Sequence, residues 1–414
     1  MVITRRTAFF PTITLLCAAS LGACAAQTPA PSEPAPTSAP AVDDADQAPE
    51  LDERRAKLLA ELEAERAADP SAGEPRYALA RFYANTGAPE RSLALLRELV
   101  AIASWDLAPE PDDFGELAQR EEFQRLTSAL AARVEPMTPS PVAFELDALD
   151  LAPEGVAWDA KRGRLLVGSM HQRAVRWADN TGVTRVLVAP AQDGLLGVLG
   201  IEVEASADTL WVASAVAPFM QGYDDGLAGR SAVYAFSLED GRTLGRWEPP
   251  SGPALLNDLT VTADNEVYVT ESMGGGVLRR PAGEPSGALR PFVAAGTFIG
   301  ANGIVTSPDD AAIYVCDLHG VHRVDRASGV ITKLEPPAGV STLGGIDGLD
   351  RRGSTLVGVQ NLFSPGRIWA LQLDVEGRAV TGATRLDDNH PRYKGPTTGA
   401  VAGDRFLYLA NASL

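Results

Sequence analysis

Leu256-Asn257-Asp258, Ala301-Asn302-Gly303 and Ile346-Asp347-Gly348 stand 45 residues apart, and each opens the same pattern. An alternating apolar run follows, then a polar turn, then a second run, as in Glu266-Val267-Tyr268-Val269-Thr270 and Ala312-Ile313-Tyr314-Val315-Cys316. Paired runs of this kind read as antiparallel strands. The unit recurs six times, with starts at Glu154, Leu199, Asn257, Asn302, Asp347 and Thr398, and most units continue with two further runs, as at 174–177 and 184–188. Four strands repeated at this period are the signature of propeller blades. The expectation is a mainly β chain whose residues 141–414 form a six-bladed β-propeller. The last unit is short, so residues 142–149 are expected to close the ring against it and to leave no long exposed edge.

Propeller geometry turns the repeat into a site. If each unit opens with the innermost strand, Glu154, Leu199, Asn257, Asn302, Asp347 and Thr398 hold one equivalent position per blade around the central channel. Taken singly, Asn-Asp and Asp-Gly are turn formers. Four oxygen-rich side chains at one phase are a different matter: two carboxylates and two amide carbonyls suit Ca²⁺, which takes about six to eight oxygen ligands. Another divalent metal could use the same set. The chain shows no His/Cys cluster with the spacing zinc requires.

Pro153-Glu154-Gly155, Asn257-Asp258, Ala301-Asn302-Gly303 with Ser307-Pro308-Asp309, and Asp347-Gly348 resemble the senescence marker protein-30/gluconolactonase family. Its wider superfamily includes calcium-dependent phosphotriesterases and paraoxonase-like lactonases, and the resemblance runs from near Phe144 to Leu414. It implies one divalent metal, usually Ca²⁺, held by Glu154, Asn257, Asn302 and Asp347. It also implies a general-base or nucleophile role for Asp347. Sugar-lactonase members carry an arginine two residues before the matching asparagine; Leu255 stands there in this chain, which points to a more apolar lactone or ester as the small-molecule substrate.

Blade connectivity returns the turn between second and third strands to the metal-bearing end. His171 lies in one such turn, and because histidine as a residue type can exchange protons near neutral pH it is a second candidate proton carrier. The insertion at 218–230 lengthens the second unit and reads as a cover over the site. No Gly-x-Ser-x-Gly motif is present, which argues against a serine esterase. The leading expectation is a metal-dependent lactone or ester hydrolase. The alternative is a non-catalytic propeller scaffold that binds a ligand or protein, since fold does not fix function.

Upstream the composition changes. Residues 1–23 carry Arg5-Arg6, a short apolar stretch and Leu21-Gly22-Ala23-Cys24, which resembles a bacterial lipoprotein cleavage box. Cys24 is the expected lipid attachment point, and the apolar run is too short to span a bilayer. This places the protein in the bacterial cell envelope, on the outer membrane or periplasmic side, touching membrane only through its lipid. Residues 24–49 are an Ala/Pro-rich tether with little apolar surface. Residues 50–135 have helical periodicity, and Leu79, Ala80, Tyr83, Gly87 and Leu96 fall at spacings similar to one tetratricopeptide repeat, a unit that serves protein partners. Removing these helices alone is expected to be tolerated. Once the signal is cut and Cys24 acylated, Cys316 is the one remaining thiol, which excludes an internal disulfide. A net charge of −18 without a basic cluster excludes nucleic acid as a partner.

Overall fold

The alternation in each repeat has a direct structural use. Val267 and Val269 point into one buried cluster with Trp211 and Trp247, whereas Tyr268 between them points into another with Ile304 and Ile313. Each strand therefore serves two cores, one on either side of its blade. The computed structural model describes residues 2–4, 53–134, 137 and 139–412, and its β-sheets follow the repeat. Blade 1 comprises Pro153–Asp159, Arg164–Ser169, Ala174–Ala178 and Thr184–Val188. Blade 2 comprises Gly197–Glu204, Thr209–Ala215, Ser231–Ser237 and Thr243–Glu248, with Gly287–Ala288 added in parallel at its outer edge. Blade 3 holds Leu256–Val261, Val267–Glu271, Gly276–Arg280 and Arg290–Val293, and blade 4 holds Ile304–Thr306, Ala312–Cys316, Val321–Asp325 and Ile331–Leu334. Blade 5 holds Ile346–Arg352, Thr355–Gln360, Arg367–Leu373 and Val380–Asp388.

The expectation of six blades is corrected to five. Among the described residues the sixth unit contributes two strands, Gly399–Ala402 and Arg405–Tyr408. Nor does the ring close by the expected pairing. Phe144–Leu146 is a strand, but it pairs in parallel with Val2–Thr4. Closure instead uses side chains: Leu146 and Leu151 pack with Val156 of blade 1 and with Ala400, Leu407 and Leu409 of the sixth unit. The inner strands add hydrogen bonds, from Gly348 N to Thr397 O at 3.0 Å and from Thr397 Oγ1 to Glu154 O at 3.2 Å.

Two further devices hold the inner strands together. A Cβ at Gly155 would run into the Leu199 carbonyl, and one at Gly303 into the Asp347 carbonyl, so these glycines permit close approach of the next blade. Buried carboxylates then reach across: Glu202 accepts from Val261 N at 3.1 Å, Asp258 from Ile304 N at 3.2 Å and Asp350 from Val401 N at 2.7 Å. Each ties one inner strand to the next.

The helical region consists of α1 (Glu53–Ala68), α2 (Glu74–Asn85), α3 (Pro89–Ala101), a 3-10 segment (Pro111–Gln119) and α4 (Glu121–Ala131). Pro75 and Pro89 sit in first helical turns, where a missing N–H costs nothing, and Gly87 at φ 82° breaks the α2–α3 hairpin. The hairpin has no second copy stacked on it. Its apolar face, including Tyr77, Leu79, Leu96 and Leu99, shares one buried cluster with Leu318, Leu362 and Phe363 of blades 4 and 5. That continuity argues against the expectation that the helices are dispensable. No described helix is long and apolar enough to cross a membrane. Cys24 and the rest of the expected signal and tether, apart from residues 2–4, lie outside the described residues.

Helix α1 also carries a pH-sensitive contact. Glu65 Oε2 lies 2.6 Å from His319 Nε2 of blade 4. Burial opposes the imidazolium charge, but Glu65 and Asp317 outweigh it and raise the His319 pKa. A raised histidine pKa stabilises the fold below the unfolded value near 6.5, and the gain is lost as pH rises through the folded value. Glu65→Gln is therefore expected to lower the melting temperature at pH 5.5 and to have little effect at pH 9. Equal losses at both pH values would contradict this.

Candidate functional site

The inner strands deliver their first residues to one end of the ring. Register fixes which residues meet there: Pro153 faces Ser169, Gly197 faces Ala215, and Leu256 faces Glu271. Strand starts and second-strand ends thus share one rim. Glu154, Asn257 and Asp347 sit inside strands, which answers the turn-former reading for those three; Asn302 lies two residues before its strand.

Asp347 is the hub. Its Oδ1 accepts from Asn302 Nδ2 at 2.6 Å, across the boundary between blades 4 and 5. Its Oδ2 accepts from Asn361 Nδ2, which also donates to Pro396 O at 2.7 Å. Asn257 Nδ2 donates to Ser272 Oγ at 3.0 Å, and Ser272 Oγ in turn donates to Ala301 O. Both ring asparagines therefore commit their NH₂ groups to protein acceptors, leaving their amide oxygens as the atoms able to meet a cation.

Electrostatics separate this cluster from an ordinary ion pair. Burial drives the Glu154 carboxyl well above the usual range, and Asp347 and Asp258 push it further. Burial likewise lifts Asp347 to about 7 despite the hydrogen bonds from Asn361 and Asn302. Asp258 is raised to about 7, again by burial, against the opposing bonds from Leu259 N and Ile304 N. The charges acting most strongly on Glu154 and Asp258 are other carboxylates. Buried like charges of this kind either hold protons or hold a cation.

Among the described residues, no group of three or more His, Cys, Asp or Glu side chains is placed to hold a metal ion. The predicted set brings only two carboxylates, with two amide oxygens completing it. Asp258, the third acid nearby, is occupied with the bond to blade 4. The donor chemistry at Glu154, Asn257, Asn302 and Asp347 is all oxygen and fits Ca²⁺ better than a softer metal.

His171 takes a different position. Its Nδ1 lies 2.6 Å from the Phe219 carbonyl oxygen, so this nitrogen donates, which leaves Nε2 as the acceptor of the neutral ring. It bonds the 218–230 insertion rather than any of the four ring residues. Gln221 N returns a bond to His171 O at 2.8 Å, and Met220 is buried, so this end of the insertion is fastened to blade 1. Met170, Leu199, Ala215 and Ala217 form an apolar cluster with Phe219 and Leu255. By register they belong to the same rim as Glu154, on the side of blades 1 to 3.

Sequence reasoning assigned no hydrogen-bond partner to Asn257 or Asp347. Ser272 and Asn361 follow their ring residues by 15 and 14 positions, each directly after a second strand. Their common phase was the available signal.

Fold and site together define a β-propeller with an acidic, amide-lined ring at one end. No family model matches the chain, and no curated protein matches it closely enough to be informative. Solved structures of similar shape include a gluconolactonase from Xanthomonas campestris, 18% identical, covering 63% of this chain and 84% of that one at a TM-score of 0.44. A PQQ-bound aldose sugar dehydrogenase from Streptomyces coelicolor is 15% identical, with 66% and 92% coverage and a TM-score of 0.45. A virginiamycin B lyase from Staphylococcus aureus is 14% identical, with 64% and 94% coverage and a TM-score of 0.44. These likenesses are too distant to carry an activity or a ligand over to this chain.

Proposed function

We propose that the protein is a calcium-dependent hydrolase of lactones or related esters, tethered in the bacterial envelope by a lipid on Cys24. The observation that carries the reading is the hub: Asp347 hydrogen-bonded to Asn302 of the neighbouring blade and close enough to Glu154 for its charge to raise that carboxyl. Glu154, Asn257, Asn302 and Asp347 would hold the ion. When bound, Ca²⁺ supplies a Lewis acid that polarises a carbonyl oxygen and lowers the pKa of water. Asp347 has the carboxyl suited to take a proton near neutrality, and His171 Nε2 is a second acceptor on the same rim. The apolar cluster around Leu199 and Leu255 would receive the hydrocarbon part of the substrate, favouring an apolar lactone over a polar sugar lactone. The PQQ and lyase chemistry of the other similar folds finds no dedicated support in the residues gathered here.

One observation favours the non-catalytic alternative. Leu255 occupies the place of the substrate-binding arginine, and it is packed into the apolar cluster. Calorimetric Ca²⁺ titration followed by a panel of lactones and aryl esters separates the two. For the hydrolase, Asp347→Ala is expected to abolish turnover and weaken Ca²⁺ binding at least tenfold, since one charged ligand is lost. His171→Ala is expected to slow turnover while leaving Ca²⁺ affinity intact. Undiminished turnover in the Asp347 variant would defeat the mechanism, and Ca²⁺ binding with no turnover on any substrate would support the scaffold.

A further inference from the structure

The helical region does more than cover blades 4 and 5. The segment carrying Asn361 runs straight into it: Phe363 stands edge-on to Tyr77 with ring centroids 4.8 Å apart and edge-on to Trp105 at 5.5 Å. One residue further, Ser364 exchanges backbone hydrogen bonds with Ala108 as an antiparallel bridge. Asp106, between these contacts, receives Arg367 Nη2 at 2.8 Å and Ser341 Oγ at 2.6 Å, so it grips both ends of the stretch that includes Asp347. Phe363 also presses on Gly345, where any Cβ would collide with its ring, two residues before Asp347.

We infer that the helical region is a positioning element for the candidate site, acting through Phe363 and Asn361 to hold the Asp347 carboxylate in its ring position. Asn361 is the positioning residue, because its amide bridges Asp347 Oδ2 and the Pro396 carbonyl. Two side chains, Asn302 and Asn361, fix the two carboxylate oxygens; Asn302 stands just ahead of an inner strand, whereas Asn361 sits in the loop after a second strand. That loop is ordered by an aromatic socket supplied by the helices. Partners of a metal ligand usually change affinity by about 10- to 100-fold when removed. The inference uses the metal reading of the ring only for its first readout.

The test is made in the full chain with Phe363→Ala, which touches none of the four ring residues, with Phe363→Leu as the conservative variant and Val233→Ala in the blade 2 core as a stability control. Ca²⁺ affinity is read by calorimetry, and amide hydrogen exchange is read over 343–366. Phe363→Ala is expected to weaken Ca²⁺ binding about tenfold and to speed exchange at 345–348 and 361–364. Phe363→Leu should recover most of both effects, and Val233→Ala should alter neither. If affinity and exchange over 345–348 stay as in the unchanged protein, the inference is overturned. If the unchanged protein binds no Ca²⁺ yet Phe363→Ala still loosens 345–348, the positioning role stands and the metal reading fails. Equal loosening from Val233→Ala would show a merely general loss of stability and also overturn it.

Discussion

Raising the pH of the calcium-free protein from about 5 to about 8 is expected to lower its melting temperature, and calcium is expected to restore it. The acids of the ring are the cause. Asp347 and Asp258 have folded pKa values near 7, and Glu154, Glu202 and Asp350 are raised as well, each chiefly by burial. A carboxyl whose pKa is raised on folding binds more protons folded than unfolded between the two values, so stability falls as pH rises through that window. Asp258 alone is shifted from 3.8 to about 7; the part of that window above pH 5 is about two units, or roughly 3 kcal/mol at about 1.4 kcal/mol per unit. Glu154 and Asp347 share their protons, so their effects do not simply add. For a chain of this size a loss of that order lowers the melting temperature by about 4 °C. A divalent cation at the ring replaces the protons as counter-charge, and a ligand at 100 times its Kd adds about 2.7 kcal/mol. Scanning calorimetry at pH 5 and pH 8, with and without Ca²⁺, reads the result. A calcium-free melting temperature that is flat or rises over this range would contradict the upward shift that burial gives these acids.

Much of this site was legible because a propeller repeats. A constant step fixes phase, and phase alone brings residues as far apart as Glu154 and Asp347 to one ring. The same logic explains Gly155 and Gly303, whose repeat position reflects close approach of inner strands rather than turn geometry. Asp258 stands where that glycine is replaced, and its side chain reaches Ile304 of the next blade instead. The count of blades was less legible. The sixth start opens on the same two-run pattern as the others, but only two strands stand there among the described residues. What the sequence did not disclose was where the helices dock. Phe363 reads as an ordinary turn aromatic between two strands, and Trp105 as a stray residue after a helix. Their meeting depends on long-range packing that no period encodes. The repeat phase puts Asn361 in a rim turn, but its bonds to Asp347 and Pro396, 14 and 35 residues away in different elements, are set by the fold.

Removing the helices, by starting the chain at residue 139, is expected to cost the propeller most of its stability or its solubility. Phe363 is 1% exposed, Leu318 4% and Leu362 7%, and all three owe that burial to a cluster shared with the helices. Stripping the socket from a buried phenylalanine forfeits contacts comparable to truncating it, about 3–5 kcal/mol. Arg367 is buried and would lose its Asp106 carboxylate, keeping Asp388 at 3.5 Å as an ion-pair partner. An under-compensated buried charge adds further cost. Together these approach the whole stability of a typical domain, about 5–15 kcal/mol. The truncated chain should therefore aggregate, or melt at least 10 °C below the full chain, whereas deleting only the tether at 25–49 should leave the melting temperature unchanged. Differential scanning fluorimetry and size-exclusion chromatography of the three chains measure both quantities. A soluble propeller of undiminished melting temperature would mean that blades 4 and 5 bury Phe363 by themselves, and that the helices are an accessory after all.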